Sequence, residues 1–456
     1  MSDINSIVNR QREYFNKGET LEITFRVNAL KKLKKAIKEN ENEIFKALKS
    51  DLNKASFEAY MTEVGIVLDE IDHIIRNVGK WSRKRRVRTP LAHFKSTSFI
   101  FSEPHGVVLI MSPWNYPFQL TLAPLLGAIA GGNCVIVKPS AYSAATSSLI
   151  EKIIRECFEE KYIAVISGGR AANQELLQEN FDYIFFTGSV SIGKNVMEAA
   201  SKNLTPVTLE LGGKSPCIVD LDVDIDLAAR RIVWGKCLNS GQTCVAPDYL
   251  YVRKEIKDSL IAAMKKYIIK FYGKEPCRND EFPRIVNEKH FNRLRELMKN
   301  GRLVAGGDVN PDTLQISPTI IEDISWDDPV MQEEIFGPIM PVLEYGKISE
   351  VIEEVNRHPK PLALYLFTNN KEVENQILNR ISFGGGCVND TVVHLATSHM
   401  PFGGAGESGM GGYHGKWSFD TFTRQKSVLK KSTLVDIKLR YAPYGEKLKL
   451  LKKIMG

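Results

Sequence analysis

The turn Gly241-Gln242-Thr243-Cys244 follows a helical segment and sets a thiol in a polar, glycine-containing context. Exposure is expected there, and the backbone amides of such a turn lower a thiol's pKa, which is what a nucleophile needs. The same cysteine could equally be small buried packing. Glu210 stands at the end of an apolar run and precedes Gly212 and Gly213. An acid in that setting is unusual unless it is used, the other reading being a boundary turn between domains. Asn115, in Pro113-Trp114-Asn115-Tyr116-Pro117, directly follows an apolar strand. Its amide can donate to a developing oxyanion or simply stabilise its own loop.

These residues need a scaffold, and the hydrophobic pattern supplies one. Residues 25–80 read as helices through Phe25, Leu30, Leu33 and Ile37, then Ile44, Leu48 and Leu52, then Ile66, Ile71, Ile74 and Val78. Pro90 ends that region, and 97–101 reads as a strand. Residues 106–137 hold no Asp, Glu, Lys, Arg or His, which raises the question of a membrane span. Pro113, Pro117 and Pro124 argue against one. The segment resolves into strand 107–111, a proline-rich loop, helix 121–130 and strand 134–137. Short Val- and Ile-rich strands then alternate with helices: 144–159, strand 162–166, 171–178, strand 183–186 and 191–200. That order predicts a parallel sheet covered on both faces, with a dinucleotide at the carboxyl ends of its strands. A second alternating block follows Glu210 with strands at 216–220, 248–252, 303–305, 318–321, 339–343 and 362–367. Residues 387–393 are expected as a strand leaving it, and the glycine-rich 401–415 as a structured loop.

Composition narrows the class. The 456 residues are 43% hydrophobic and 25% charged, with 33 glycines and 20 prolines, the profile of a globular chain of two or three domains. The net charge is +7, and residues 426–456, with nine basic and two acidic side chains, account for it. A nucleic-acid module would carry its basic stripe on the body, so no nucleic-acid partner is expected. Seven scattered cysteines without a CxxC pair, and a polar Met-Ser-Asp-Ile-Asn opening, predict a reducing cytoplasm. Eight scattered histidines give no metal-ligand spacing, so no metal is expected. Tyr444 to Met455 reads as an amphipathic helix: Leu448, Leu451 and Met455 recur at helical spacing, with Leu450 and Ile454 beside them and Lys447, Lys449, Lys452 and Lys453 opposite. Such a helix can rest weakly on the inner, anionic membrane surface as a peripheral contact, or pack on a partner subunit.

Several motifs in order carry a resemblance. They are Pro113-Trp114-Asn115-Tyr116-Pro117, Val137-Lys138-Pro139-Ser140, Phe186-Thr187-Gly188-Ser189 with Gly193, Glu210-Leu211-Gly212-Gly213, Gly241-Gln242-Thr243-Cys244, Glu333-Glu334-Ile335-Phe336-Gly337-Pro338 and Pro401-Phe402-Gly403-Gly404. Over about residues 5–430 the chain resembles the NAD(P)-dependent aldehyde dehydrogenase superfamily. Cys244-Val245-Ala246-Pro247-Asp248-Tyr249 and Tyr413-His414-Gly415-Lys416 make it similar to the class 3, fatty-aldehyde-dehydrogenase-like branch.

The resemblance implies an α/β fold in which a Rossmann-type parallel sheet domain (1–81 and 102–209) joins a second α/β catalytic domain (210–393). Bridging and oligomerisation segments (82–101 and 394–430) and a basic amphipathic tail (431–456) complete it. A cytoplasmic homodimer is implied, with Phe99, Phe101, Phe419 and Phe422 giving apolar weight to the contact region. Cys244 is the implied nucleophile, forming a thiohemiacetal and then a thioester. Asn115 and the Cys244 amide are the implied oxyanion hole, and Glu210 the base that activates water once partial burial has raised its pKa. NAD or NADP is implied at Lys138 and Ser140 (adenosine ribose), Gly188, Ser189 and Gly193 (pyrophosphate helix), Glu334 (nicotinamide ribose) and Phe336 beside it. Trp114 belongs to this set and also, with Tyr116 and Phe402, to the aldehyde channel. One position departs from the pattern. Where class 3 members usually carry a glutamate after Lys-Pro-Ser, clasping the ribose 2′-hydroxyl, this chain has Ala141. Dual use of NAD and NADP is the expectation, with Tyr142 and Ser167-Gly168-Gly169-Arg170 as alternative contacts.

The implied function is oxidation of a medium or long aliphatic or an aromatic aldehyde, with a carotenoid or isoprenoid aldehyde as the alternative. A non-catalytic binding protein on this fold would lack Cys244 or Glu210. An acylating enzyme that passes the thioester to coenzyme A would lack the base, and a reductase of acyl phosphates would lack Glu-Leu-Gly-Gly.

Overall fold

The computed structural model describes residues 4–455, and Met1 to Asp3 and Gly456 lie outside it. Two buried parallel runs set the architecture. Val107–Met111 and Cys134–Lys138 are buried at every position, as the uncharged segment predicts. They form the centre of a six-stranded sheet ordered Gly409–Met410, Val207–Glu210, Tyr183–Thr187, Val107–Met111, Cys134–Lys138, Ile163–Val165. Five of these strands run parallel, and Gly409–Met410 pairs antiparallel on the edge. The chain leaves the central Val107–Met111 strand in one direction and returns on its other side at Tyr183–Thr187. That reversal opens a crevice at the carboxyl ends of both strands, the place where doubly wound sheets take their ligands.

The second sheet has seven strands, ordered Arg302–Ala305, Thr319–Glu322, Ile339–Tyr345, Tyr249–Arg253, Pro216–Val219, Ala363–Phe367, Gly385–Val388. All its pairings are parallel except that of the Arg302–Ala305 edge. The strand expected at 387–393 is therefore Gly385–Val388, and it does not leave the sheet but closes its other edge against Ala363–Phe367. The apolar run misled because Asn389 and Val392 take left-handed backbone (φ 59° and 65°) and turn the chain away. Val207–Glu210 is a strand that the apolar run before Glu210 had not been read as. A third, antiparallel sheet joins Arg85–Val87, Ser96–Pro104 and Thr423–Lys431.

Helices Ile23–Glu39, Glu41–Leu52 and Gly65–Trp81 occupy the predicted N-terminal region. Between the last two, Ser56–Ala59 runs into a single π-helical turn, Tyr60–Val64. Phe419 and Phe422 are core residues of this chain, packed on Trp81, Tyr183 and Phe185, so the apolar weight assigned to them for a partner is spent internally. Phe99 and Phe101 are half-buried on the third sheet. The tail forms the helix Lys447–Met455 with Leu448, Leu450 and Leu451 exposed, while the side chains of Ile454 and Met455 lie outside the described residues. Among the described residues no helix is long and apolar enough to cross a membrane, and no cluster of His, Cys, Asp and Glu could hold a metal ion.

Candidate active site

Helix Ile225–Cys237 ends in a tight turn, Leu238–Gly241, that throws Cys244 into a cavity. Asn239, Ser240 and Gly241 take three successive left-handed conformations (φ 51°, 53° and 71°), a costly arrangement for the first two. Only glycine fits the third position, because a Cβ there would lie 2.3 Å from the Gly337 carbonyl oxygen. The turn is held by its surroundings. Buried Gln242 donates to Asn239 O (3.1 Å) and Arg284 O (2.9 Å) and accepts from Val286 N (3.0 Å). Tyr365 OH donates to Val245 O at 2.5 Å.

Asn115 and Tyr116 reach this turn from the end of the Val107–Met111 strand. The Asn115 amide donates to Gln242 O (3.1 Å), and Tyr116 OH meets Thr243 Oγ1 at 2.7 Å. Behind them lies a buried ion pair that the sequence reading did not single out. Lys54 Nζ donates to Glu63 Oε1 (2.5 Å) and to Asn115 O (3.1 Å), and sits 3.9 Å from the Tyr116 ring centroid. Glu63 Oε2 accepts from Phe118 N (2.8 Å) and Gln119 N (3.2 Å). A signal for it existed. Glu63 falls four residues from Ala59 and Val67 on the apolar stripe of its helix, where an acid is out of place unless paired.

Glu210 ends the Val207–Glu210 strand with only 2% of its surface exposed, and neither carboxylate oxygen has a hydrogen-bond partner. Burial lifts its carboxyl well above the ordinary carboxylate range. Burial also pushes the Cys244 thiol up, with smaller contributions from the charges of Glu334 and Glu210, while the amides of Cys244 and Val245 act in the opposite direction. The turn's amides thus act in the expected direction, but in the protein alone desolvation outweighs them.

The cavity in front of Cys244 encloses about 210 Å³. Met61, Ile66, Leu120, Trp234, Leu395 and Phe402 form most of its wall, with Tyr116, Gln119 and His414 as polar points. Tyr116 and Phe402 line it as expected. Trp114 does not: its indole stands edge-on to Phe336 (5.3 Å between ring centroids) and close to His290 (5.5 Å). Trp114 and Phe336 therefore keep company on the other side of the loop.

The residues expected to hold a dinucleotide gather at the crevice. Gly188 and Ser189 follow the Tyr183–Thr187 strand and open helix Val190–Ser201, whose first amides donate no hydrogen bond to the Ser189 side chain. Gly193 lets that helix approach the sheet, since a Cβ there would meet Leu211 at 2.6 Å. Such an uncapped helix start suits a pyrophosphate. Lys138 ends its strand 4% exposed, with Nζ on Pro139 O (2.7 Å) and its pKa lowered to about 8 by burial. Ser140 accepts at its carbonyl from Ser147 Oγ (2.7 Å), and Ala141 is exposed next to it. Glu334 lies over Gly212, where a Cβ would be 1.9 Å from its Oε2, and its Oε1 has no partner. Burial, and then the charge of Asp248, push the Glu334 carboxyl up to about 8. An orphaned carboxylate oxygen, an uncapped helix start and a buried lysine at the strand ends fit a nicotinamide dinucleotide. Lys236, also overlooked in the sequence, is buried nearby with no partner for Nζ.

Known proteins resemble this chain along its whole length. The model of the aldehyde dehydrogenase family matches residues 1–428. The 4,4'-diaponeurosporen-aldehyde dehydrogenase of Staphylococcus aureus is 47% identical over 97% of this chain and 96% of its own length. The dimeric NADP-preferring aldehyde dehydrogenase of Rattus norvegicus is 45% identical over 98% of this chain and 99% of its own. Among solved structures, the substrate-bound state of Staphylococcus aureus AldH superposes with a TM-score of 0.98 at 46% identity, covering both chains fully. The motifs in their order, the two parallel sheets and likeness along the whole chain lead to one conclusion: the chain belongs to the aldehyde dehydrogenase family, and it oxidises an aldehyde to the acid with NAD or NADP.

Proposed function

We propose that the physiological substrate is an extended apolar aldehyde and that Cys244, Asn115 and Glu210 carry its oxidation. The observation behind the substrate class is the cavity that ends at Cys244, whose wall is hydrocarbon apart from a few polar points. An apolar tail gains about 25 cal/mol for each Å² it buries there. The S. aureus relative is named for 4,4'-diaponeurosporen-aldehyde, which favours a carotenoid or isoprenoid chain as the second reading. Straight-chain, benzylic and isoprenoid aldehydes of increasing size, assayed with both nucleotides, test this. kcat/KM should climb with apolar length, and a maximum at acetaldehyde or at a charged aldehyde would overturn the proposal.

In the mechanism, the Cys244 thiol loses its proton to solvent, and the thiolate forms a bond to the carbonyl carbon as the C=O π pair moves onto oxygen. The Asn115 amide and the Cys244 N–H receive the oxyanion. Lys138 and Ser140 would hold one ribose of a nicotinamide dinucleotide, the helix start at Gly188, Ser189 and Gly193 its pyrophosphate, and Glu334 with Phe336 and Trp114 its other end, and the bound group would supply the hydride acceptor. The thioester left on Cys244 is then hydrolysed. Glu210 takes the proton from the attacking water, and its raised pKa makes it a stronger base than an ordinary carboxylate.

We further propose a cytoplasmic homodimer joined along the Ser96–Pro104 and Thr423–Lys431 sheet, in line with seven unpaired cysteines and with the dimeric rat relative. A single 51.3 kDa species at all concentrations in light scattering would reject it. The proposed division of labour assigns the nucleotide to 1–81 and 102–209 and the thiol chemistry to 210–393. The tail helix offers Leu448, Leu450 and Leu451 to an anionic membrane surface. Flotation with anionic vesicles that survives truncation at residue 440 would count against it.

A further inference from the structure

We infer that Lys54 is a positioning residue for the reaction, its ammonium fixing the loop that carries Asn115 and, through Asn115 and Tyr116, the turn that carries Cys244. The inference rests on the oxyanion role proposed above for Asn115. Lys54 lies in the link between helices Glu41–Leu52 and Ser56–Ala59, far in sequence from Asn115 and Tyr116. Its side chain and that of Glu63 are both fully buried. The ammonium makes three contacts of different kinds: the Glu63 carboxylate, the Asn115 carbonyl and the face of Tyr116. Glu63 in turn takes the amides of Phe118 and Gln119, so the pair grips the loop on both sides of Tyr116 and Pro117.

The grip passes to the nucleophile by two routes. Asn115 donates to Gln242 O, and Tyr116 OH meets Thr243 Oγ1, the two residues that precede Cys244. Asn239 closes the circuit by donating its side-chain amide to both Asn115 O (2.8 Å) and Gln242 O (3.1 Å), while its own N–H is taken by Glu58 (2.8 Å). The Asn115 carbonyl therefore receives Lys54 from one side and Asn239 from the other. A neutral side chain at position 54 would leave that loop to settle elsewhere, and a displacement of an ångström at an oxyanion donor costs rate steeply. The same buried pair could merely stabilise the fold, and the test separates the two.

The test uses the full chain with Lys54→Met and Glu63→Gln combined, so that no unpaired buried charge remains. The expected result is unchanged nucleotide affinity, a burst of NAD(P)H slowed on the order of 10- to 100-fold, and a larger isotope effect on kcat with the aldehyde deuterated at its carbonyl carbon. Lys54→Arg, which keeps the charge but shifts it, should fall between this variant and the native enzyme, and it serves as the test if the combined variant does not fold. In an Asn115→Ala background the added pair of substitutions should slow the burst little further. A native burst rate in a folded variant overturns the inference, as does an equal slowing with and without the Asn115 side chain. A native burst in Asn115→Ala alone would instead strike at the proposed oxyanion hole, leaving the Lys54 result to be read by itself.

Discussion

Glu63 and Glu210 are two equally buried carboxylates with opposite surroundings. Glu63 receives an ammonium and two backbone N–H groups, whereas Glu210 receives no hydrogen bond at either oxygen. The first is held in place by its partners. The second, kept from water and unpaired, holds its proton well above the ordinary range and stands ready to trade it. The difference teaches that burial alone does not mark a reactive acid; lack of partners does. It also separates what each residue does for the molecule, since a satisfied buried pair holds geometry while an unsatisfied group weakens the fold it occupies.

Removing the thiol that the unpaired carboxylate serves should have the largest effect. Cys244→Ala is expected to lose all dehydrogenase turnover while nucleotide binding, read by fluorescence titration, stays native. Alkylation that inactivates the enzyme through another cysteine would sink the assignment. Next comes Glu63→Gln, which strands the Lys54 ammonium in the interior and should cost about 3–5 kcal/mol in denaturant unfolding. A loss below about 1 kcal/mol would mean the pair is worth no more than an exposed one.

Glu210→Gln should act in the other sense. Turnover should drop roughly 10²-fold or more, with the burst of NAD(P)H kept because hydride transfer precedes deacylation. In the native enzyme deacylation should rise with pH as Glu210 deprotonates, and that limb should vanish in the variant. The folded-state pKa is raised, so the stability Glu210 contributes is present below its unfolded pKa and is lost as pH rises through the folded value. Near neutral pH and above, Glu210→Gln should therefore melt no lower than the native enzyme, and a clearly lower Tm would erase the contrast with Glu63. The smallest effect concerns the nucleotide. Ala141→Glu should shift the ratio of kcat/KM values toward NAD by about 1–3 kcal/mol. A strong native preference for NAD, unmoved by this change, would point to Tyr142 or Arg170 as the clasp.

The groups proposed as reactive could be picked out because their motifs are local. Cys244, Glu210 and Asn115 each sit in a short run whose glycines, prolines and strand ends carry the signal, and the fully apolar strands around 107–137 announced a buried parallel sheet. What failed was set by distance. Residues 387–393 kept an apolar, β-branched character past the point where Asn389 turns left-handed, and only pairing with Ala363–Phe367 decides where that strand stops. The Cys244 thiol was expected to be lowered by its turn, but the turn's amides are a local property and the burial that overrides them comes from the whole cavity. Trp114 could not be assigned to one side of its loop, because Phe336 is far away in sequence. Lys54 reads as an ordinary charge until Asn115 is brought beside it, and the place of Glu63 on an apolar stripe says that it is paired but not with what.

The π-helical turn Tyr60–Val64 has a consequence for how this channel can change. A turn of that kind holds one residue more than an α-helical turn, and each residue of a helix accounts for about 100° of rotation. Deleting a single residue there would remove the surplus residue, leave the helices on either side in phase, and re-aim only the side chains of the turn itself, Met61, Thr62 and Glu63 among them. Exchanging side chains at Met61 or Ile66 should therefore adjust the proposed substrate range while leaving the Lys54–Glu63 pair alone, whereas a change of length in this turn should disturb both at once.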